Sequence, residues 1–465
     1  MKKVLVANRG EIACRIVASC RTMGIRTVAV HSEADANALH VALADESVAI
    51  GPAPARESYL RADRLLDAAR TSGADAIHPG YGFLAENAAF AEQVQAAGLA
   101  WIGPSPRVIR DMGDKQRART LAFEAGVPIL PGSERFAVGD LAKLEQSAER
   151  VGYPLLVKAA AGGGGIGMRR VDAPEKLREI AEATQSMAAK AFGDGTIYLE
   201  RYIERARHVE IQVFGFGNGH AVHLYERDCS IQRRFQKVIE ESPAPGLPAD
   251  IRAQMAEAAT RLSGDERYEG AGTIEFVVDA DSLQFYFLEM NTRIQVEHPV
   301  TEMTTGRDLV AMQIEQARGT LDRIDQHDIV ARGHAIECRL YAENPTRNFM
   351  PSPGRLTRFE LPQRSPEVRI DTGFRAGDEV TFFYDPMIAK VICHGPTRAA
   401  AIERTLQTLA GIDIGGLTTN IDFLRATLDH PEFRAGRVYT GFVDNHKASL
   451  IAPRSAASAM QSAGS

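Results

Sequence analysis

The sequence predicts an α/β chain that passes into α+β structure in three parts: an N-terminal domain with a parallel sheet, a strand-rich middle domain, and a smaller C-terminal α+β domain. Three observations carry this expectation. Short apolar runs alternate with helically spaced segments through residues 1–114. A glycine-rich loop and a candidate hairpin mark residues 115–330. An apolar-alternating strand at residues 334–341 opens the last domain, residues 331–446. A length of 465 residues suits about three such domains.

Val4-Leu5-Val6-Ala7 is an apolar run of strand length. Residues 11–23 follow with Ile12, Ile16 and Val17 at helical spacing. Gly24 then punctuates, and residues 27–30 read as a second strand. Ala76-Ile77-His78 and the helical residues 86–97 repeat the pattern, which calls for parallel strands covered by helices. In the middle domain the strand Leu155-Leu156-Val157-Lys158 runs towards Gly162-Gly163-Gly164-Gly165-Ile166-Gly167. Residues 273–278 and 283–290 are strand-like, and Asp279-Ala280-Asp281-Ser282 between them is turn chemistry, so they form a hairpin. Residues 447–465, rich in Ala and Ser, read as a flexible tail.

Composition excludes several classes. With 45% hydrophobic and 25% charged residues the chain can build a core, so general disorder is excluded. A net charge of −6 argues against nucleic acid as the main partner. Five scattered cysteines without a CxxC pair support neither a zinc site nor a disulfide framework, and suit reduced thiols in a cytosolic protein. No apolar stretch reaches the roughly 18 residues of a membrane span, and the apolar start breaks at Asn8-Arg9-Gly10, too early for a signal peptide.

The chemistry concentrates in one stripe. Glu289, Asn291, Arg293, Gln295 and Glu297 occupy alternate positions, so an extended chain would present all five on one face. A solvated edge strand is the plain alternative, but five such groups after Phe285-Tyr286-Phe287-Leu288 suit an emerging strand that delivers them to a cleft. Glu275, on the other arm of the hairpin, approaches Glu289 and Asn291, and this set of hard oxygens suits Mg²⁺. The glycine loop lets backbone N–H groups close on phosphate oxygens, although no Walker A lysine follows it. Lys158 before the loop, and Lys115 in Gly113-Asp114-Lys115, are candidate phosphate contacts. Residues 227–237 are rich in basic groups, and Glu337 and Arg339 share a face of one strand.

These motifs together resemble the biotin carboxylase family of the ATP-grasp superfamily, over roughly residues 1–446. The resemblance is carried by Asn8-Arg9-Gly10-Glu11-Ile12-Ala13, His78-Pro79-Gly80-Tyr81-Gly82-Phe83, Arg227-Asp228-Cys229-Ser230, the ten residues from Glu289 to His298, and Glu337-Cys338-Arg339. Asp371-Thr372-Gly373 and residues 384–390 are similar to the α subunits of acyl-CoA carboxylases. The resemblance implies an ATP-grasp fold and an ATP- and bicarbonate-dependent ligase that carboxylates biotin through carboxyphosphate. It implies Mg²⁺, with Mn²⁺ as an alternative, on Glu275, Glu289 and Asn291. It places ATP against Lys115, Lys158, Gly163, Gly164, Gly165, Glu200, Ile203, His208 and Gln232. Bicarbonate falls to Lys237, Arg293, Gln295, Val296 and Glu297, with Glu297 as the base. Biotin falls to Tyr81, Gly82 and Arg339, whose charge would stabilise the enolate.

The resemblance also implies a cytoplasmic homodimer working with a biotin carrier and a carboxyltransferase. Met-Lys occurs only at Met1-Lys2, so the carrier is expected on another chain or in a removed C-terminal region. The sequence departs from the family at Ile166, at Phe235 where His is usual, and at Arg201. Two other readings stay open: an ATP-grasp ligase that activates a different carboxylate, and a nucleotide-binding assembly subunit with weak catalysis.

Overall fold

The computed structural model describes residues 1–160 and 167–451. Five parallel strands form the N-terminal sheet: β1 (Lys3–Val6), β2 (Arg26–Ser32), β3 (Glu46–Gly51), β4 (Ala76–His78) and β5 (Ala100–Trp101), in the order β3-β2-β1-β4-β5. The helix Gly10–Thr22 follows β1 and buries Ile12, Ile16 and Val17, as its spacing requires. Because β1 and β4 are neighbours, the loops leaving them lie side by side. Asn8 Nδ2 donates to the carbonyls of Pro79 and Tyr81, both at 2.7 Å, and pins the second loop to the first. Gly80 has φ +63°, and a Cβ there would stand 2.9 Å from Asn8 Nδ2, so the loop needs glycine on both counts.

A small antiparallel sheet follows, made of β6 (Leu155–Ala159), β7 (Met168–Val171) and β8 (Ile197–Arg201) in the order β7-β6-β8. Leu144 and Val151 of one helix, and Leu177 and Ala181 of another, pack against Leu155, Val157 and Leu199. The glycine loop between β6 and β7 falls largely outside the described residues.

The third sheet carries the site. Its strands are β9 (Ala206–Phe216), β10 (Ala221–Arg233), β11 (Gln236–Ser242), β12 (Glu269–Asp279), β13 (Phe285–Asn291), β14 (His334–Tyr341), β15 (Val368–Thr372) and β16 (Met387–Gly395). They pair in the order β13-β12-β9-β10-β11-β14-β16-β15, antiparallel throughout. The expected hairpin is β12–β13, and Asp279 caps its turn by accepting from the amides of Asp281 and Ser282 at 2.8 and 3.2 Å. The strand at residues 334–341 adds to β11, so the last part of the chain extends the sheet of the middle part. Among the described residues, no helix is long and apolar enough to cross a membrane. All five cysteines are buried and unpaired.

Several buried histidines are neutral parts of this architecture. His40 shares a hydrogen bond with the Val30 carbonyl at 3.2 Å, and burial lowers its pKa to about 4 from an ordinary 6.5. Between those two values the unfolded chain binds a proton that the native chain refuses, so this contribution to stability is lost as pH falls through the window. Replacing His40 with Gln should therefore make the slope of unfolding free energy against pH shallower by about 1.4 kcal/mol per unit over that window. Denaturant titrations at stepped pH check this, and identical slopes in the two proteins would contradict it.

Candidate active site

The site rises from one face of the large sheet, where alternate residues of adjoining strands point the same way. β9 supplies His208 and Glu210, β11 supplies Lys237, β12 supplies Glu275, β13 supplies Glu289 and Asn291, and β14 supplies Arg339. At the centre stands the Lys237 ammonium. It donates to Glu210 Oε2 at 2.7 Å, Glu275 Oε1 at 2.8 Å and Glu297 Oε1 at 2.7 Å. Burial works against its charge, but the three carboxylates outweigh that and hold its pKa well above the usual lysine value. Glu297 is likewise opposed by burial and held low by Lys237, Arg339 and Arg227, so it stands ionised. Arg227, fully buried, donates to Glu210 at 2.6 Å and to Thr301 and Thr273 at 3.0 Å, which fixes the floor.

The stripe that reads as one extended face is built differently. β13 ends at Asn291, and residues 292–297 bend across the sheet into the helix His298–Thr305, with Glu297 at its N-terminal boundary. Asn291, Arg293 and Gln295 stay together nonetheless, because hydrogen bonds replace the strand register. Arg293 donates to Asn291 Oδ1 at 3.1 Å and to Gln295 Oε1 at 2.8 Å. Asn291 and Gln295 donate to Glu275 Oε1 at 2.9 and 3.2 Å. The bend lets Glu297 reach Lys237 and Arg339 at once, which a straight strand could not do.

Glu275 and Glu289 face each other directly across β12 and β13. Burial, then the charge of Glu275, raises the pKa of Glu289. Glu275 is opposed by burial and held low by Lys237 and His208, whose Nε2 lies 2.9 Å from it. Opposed carboxylates in one cleft destabilise each other, and a divalent cation between them would relieve that. Two carboxylates with the Asn291 amide oxygen are hard donors of the kind Mg²⁺ takes, so the residues present fit that ion.

Two cavities meet here. One, of about 460 Å³, is lined by His208, Gln232, Lys237, Glu275, Glu289 and Arg293. The other, of about 400 Å³, is lined by the loop after β1, Phe374, Phe383 and Tyr384. Tyr81, Gly82, Gln236, Val296 and Arg339 line both. Arg339 stands at the junction, donating to Glu297 Oε2 at 3.0 Å.

Of the residues expected at a nucleotide, His208 and Gln232 line the larger cavity, with Gln232 Nε2 2.8 Å from His208 Nδ1. Lys158 donates to Glu200 at 2.6 Å across β6 and β8 of the small sheet. Ile203 follows β8, and Lys115 opens the helix Lys115–Glu124, its charge acting on Glu289. Gly163, Gly164, Gly165 and Ile166 lie outside the described residues. Phe235 lines the larger cavity from the hairpin tip, with φ +64° and 73% of its surface exposed. Arg201 donates to the Val151 carbonyl at 2.6 Å, away from the cavities. Sequence reasoning missed Glu210, which holds Lys237 and Arg227, and Glu86, which accepts from Arg293 at 2.8 Å. The period-two run His208, Glu210, Gln212 was a readable signal for the first; the second depends on a long-range approach.

Comparison with known proteins gives a consistent result. The model described as "Biotin carboxylase, N-terminal domain" matches residues 1–109. "Carbamoyl-phosphate synthase L chain, ATP binding domain" matches residues 114–323, and "Biotin carboxylase C-terminal domain" matches residues 337–445. A biotin carboxylase of Nostoc sp. is 50% identical over 95% of this chain and 98% of its own length. The methylcrotonoyl-CoA carboxylase α subunit of Glycine max is 50% identical over 97% of this chain, which spans 61% of that protein. The biotin carboxylase domain of Hydrogenobacter thermophilus 2-oxoglutarate carboxylase, a dimer solved with MgADP, ADP and bicarbonate, superposes with a TM-score of 0.89. It is 43% identical, and the match covers 97% of this chain and 99% of that one.

Replacing Lys237 with Met strands three carboxylates without their shared cation. Loss of one partner from a buried ion pair costs about 3–5 kcal/mol, and a deficit of that size is expected in urea unfolding. A variant as stable as the wild type would show that the ammonium does not hold these groups.

Proposed function

This chain belongs to the biotin carboxylase family, and from that membership we propose that it carboxylates biotin, consuming ATP and bicarbonate. The observation that supports this most is the contact of Lys237 and Arg339 with the two oxygens of Glu297, at the junction of two cavities. ATP would occupy the larger cavity against His208 and Gln232, with Lys115, Lys158, Glu200, Ile203 and the glycine loop closing over it. Glu275, Glu289 and Asn291 would hold Mg²⁺ or Mn²⁺. The ion supplies charge compensation on the nucleotide phosphates when bound.

Bicarbonate would lie against Lys237, Arg293, Gln295 and the Val296 backbone, within reach of Glu297. A base held by two cations is weak. Bicarbonate that draws hydrogen bonds from Lys237 loosens that hold and makes Glu297 a stronger base as its substrate arrives. Glu297 then takes the bicarbonate proton, and the freed oxygen attacks the γ-phosphorus, releasing ADP and forming carboxyphosphate. Carboxyphosphate breaks to CO₂ and phosphate. Phosphate removes the ureido N–H proton of biotin, and the resulting nitrogen nucleophile attacks CO₂. Arg339 places fixed positive charge where the enolate oxygen develops. Tyr81 and Gly82 line the junction, and biotin would enter on that side.

Biotin would arrive on a carrier protein or domain, with a carboxyltransferase taking the carboxyl group onward. A cytoplasmic homodimer, acting within an acyl-CoA carboxylase, completes this reading. ATP hydrolysis measured with bicarbonate and biotin varied separately is the direct test. Turnover should require bicarbonate and rise with free biotin, and turnover indifferent to bicarbonate would refute the reading. Glu297→Gln should lower turnover by about 10²–10⁴-fold, the usual worth of a general base, without abolishing nucleotide binding.

A further inference from the structure

Behind Arg339, away from both cavities, lie two carboxyl groups that the reaction above does not use. Glu240 on β11 and Glu337 on β14 are direct cross-strand partners, and both are fully buried. Side chains so paired stand only about 5 Å apart at Cβ. Glu240 Oε1 lies 2.6 Å from Arg339 Nε, an ionic contact off the N–H axis, so neither group makes an aligned hydrogen bond there. Neither oxygen of Glu337 has a hydrogen-bond partner.

The charges around them are few. Arg339 and Lys390 are opposite each other on β14 and β16. Lys390 is already engaged by the Val296 carbonyl at 2.8 Å and by Glu11 at 3.2 Å. Glu297, Lys237 and Glu210 act on Glu240 from the site, and Lys390, Arg339 and Glu297 act on Glu337. The neutral Cys229, Cys338 and Tyr341 lie beside them, and the helix His298–Thr305 packs on β11 and β14 with His298, whose charged form burial and Lys390 disfavour. Two buried carboxylates side by side, with Arg339 shared between Glu240 and Glu297 and Lys390 held by Val296 and Glu11, strongly disfavour ionisation of both.

We propose that Glu240 is a positioning residue for Arg339, anchoring the guanidinium by its Nε edge so that its Nη edge faces Glu297 and the junction, and that Glu337 carries the proton that lets Glu240 stay charged. This rests on the function proposed above. Burial pushes Glu240 up to about 7 against the pull of Arg339, and pushes Glu337 well above the carboxylate range. Ionisation of Glu240 therefore falls within the working pH range, and biotin-dependent turnover gains a limb that rises through neutral pH. The anchored guanidinium is the group meant to meet the enolate oxygen, so Glu240 acts through Arg339 without touching substrate.

Three readouts test this on the full chain. In Glu240→Gln, biotin-dependent turnover should fall about 10- to 100-fold, as when a group that orients a charged ligand is lost, while the KM for ATP stays near wild type. The rising limb of the pH profile should disappear, and Glu240→Asp should restore part of both. Infrared spectra taken at alkaline pH, above the titration of Glu240, should show the carbonyl stretch of a buried protonated carboxylic acid that is lost in Glu337→Gln and retained in Glu240→Gln. The guanidinium vibrations of Arg339, identified with Arg339→Lys, should shift in Glu240→Gln. Wild-type turnover and pH profile in Glu240→Gln would overturn the positioning role. Absence of the protonated-acid band, or its loss in Glu240→Gln alone, would overturn the proton assignment. A wild-type chain without bicarbonate-dependent turnover would instead refute the function, with the infrared arm still deciding the state of the acid pair and of Arg339.

Discussion

One ammonium group, that of Lys237, lies within 2.8 Å of carboxylate oxygens from three distant stretches of chain, Glu210, Glu275 and Glu297. Each carboxylate is buried and would be expensive to ionise alone. Together they need a cation, and the cation needs them. Arg227 neutralises the other oxygen of Glu210, and Arg339 takes the other oxygen of Glu297. The arrangement tolerates little displacement, because moving any strand by a residue would turn its charged group to the opposite face of the sheet. The antiparallel order β12-β9-β10-β11-β14 is what brings those side chains into one layer.

The same constraint shapes the two cavities. Residues 292–297 bend across the sheet so that Glu297 reaches both cations, and Val296 of that bend lines both cavities and stands in the wall they share. Arg339 is the shared element, with one edge towards Glu297 and the other towards Glu240. In the proposed reaction, a site divided in this way would keep phosphoryl chemistry and carboxyl transfer in adjoining spaces while a small intermediate passes between them. On the N-terminal side the wall is closed by Tyr81 and Gly82, whose loop is held by Asn8. Gly373 supports the same corner: a Cβ there would lie 2.6 Å from the Gly10 Cα, so only glycine lets the C-terminal part approach that helix.

Much of this was readable in advance. The alternation of apolar runs and helical spacing located the parallel sheet, since a strand buried on both faces must be apolar and short. The turn residues 279–282 located the hairpin, since Asp279 can cap its own turn. The side-chain types at Glu275, Glu289 and Asn291 declared hard-ligand chemistry. The continuous extended face from Glu289 to Glu297 was wrong in detail, because periodicity reports residue spacing and says nothing of where a strand stops. Lys158 and Glu200, both expected at a nucleotide, pair with each other on the small sheet. That pairing belongs to the register of β6 on β8, which no local pattern encodes.

By itself the sequence determined which chemical groups the chain owns and which short stretches are strand, turn or helix, because those follow from side-chain identity and local backbone preference. Only the tertiary structure decided which groups share a charge. Glu210 with Lys237, Glu86 with Arg293, and Glu240 with Arg339 are separated by 27, 207 and 99 residues. Their partnership, and hence their protonation, is set by strand order, register and burial, which are properties of the whole sheet.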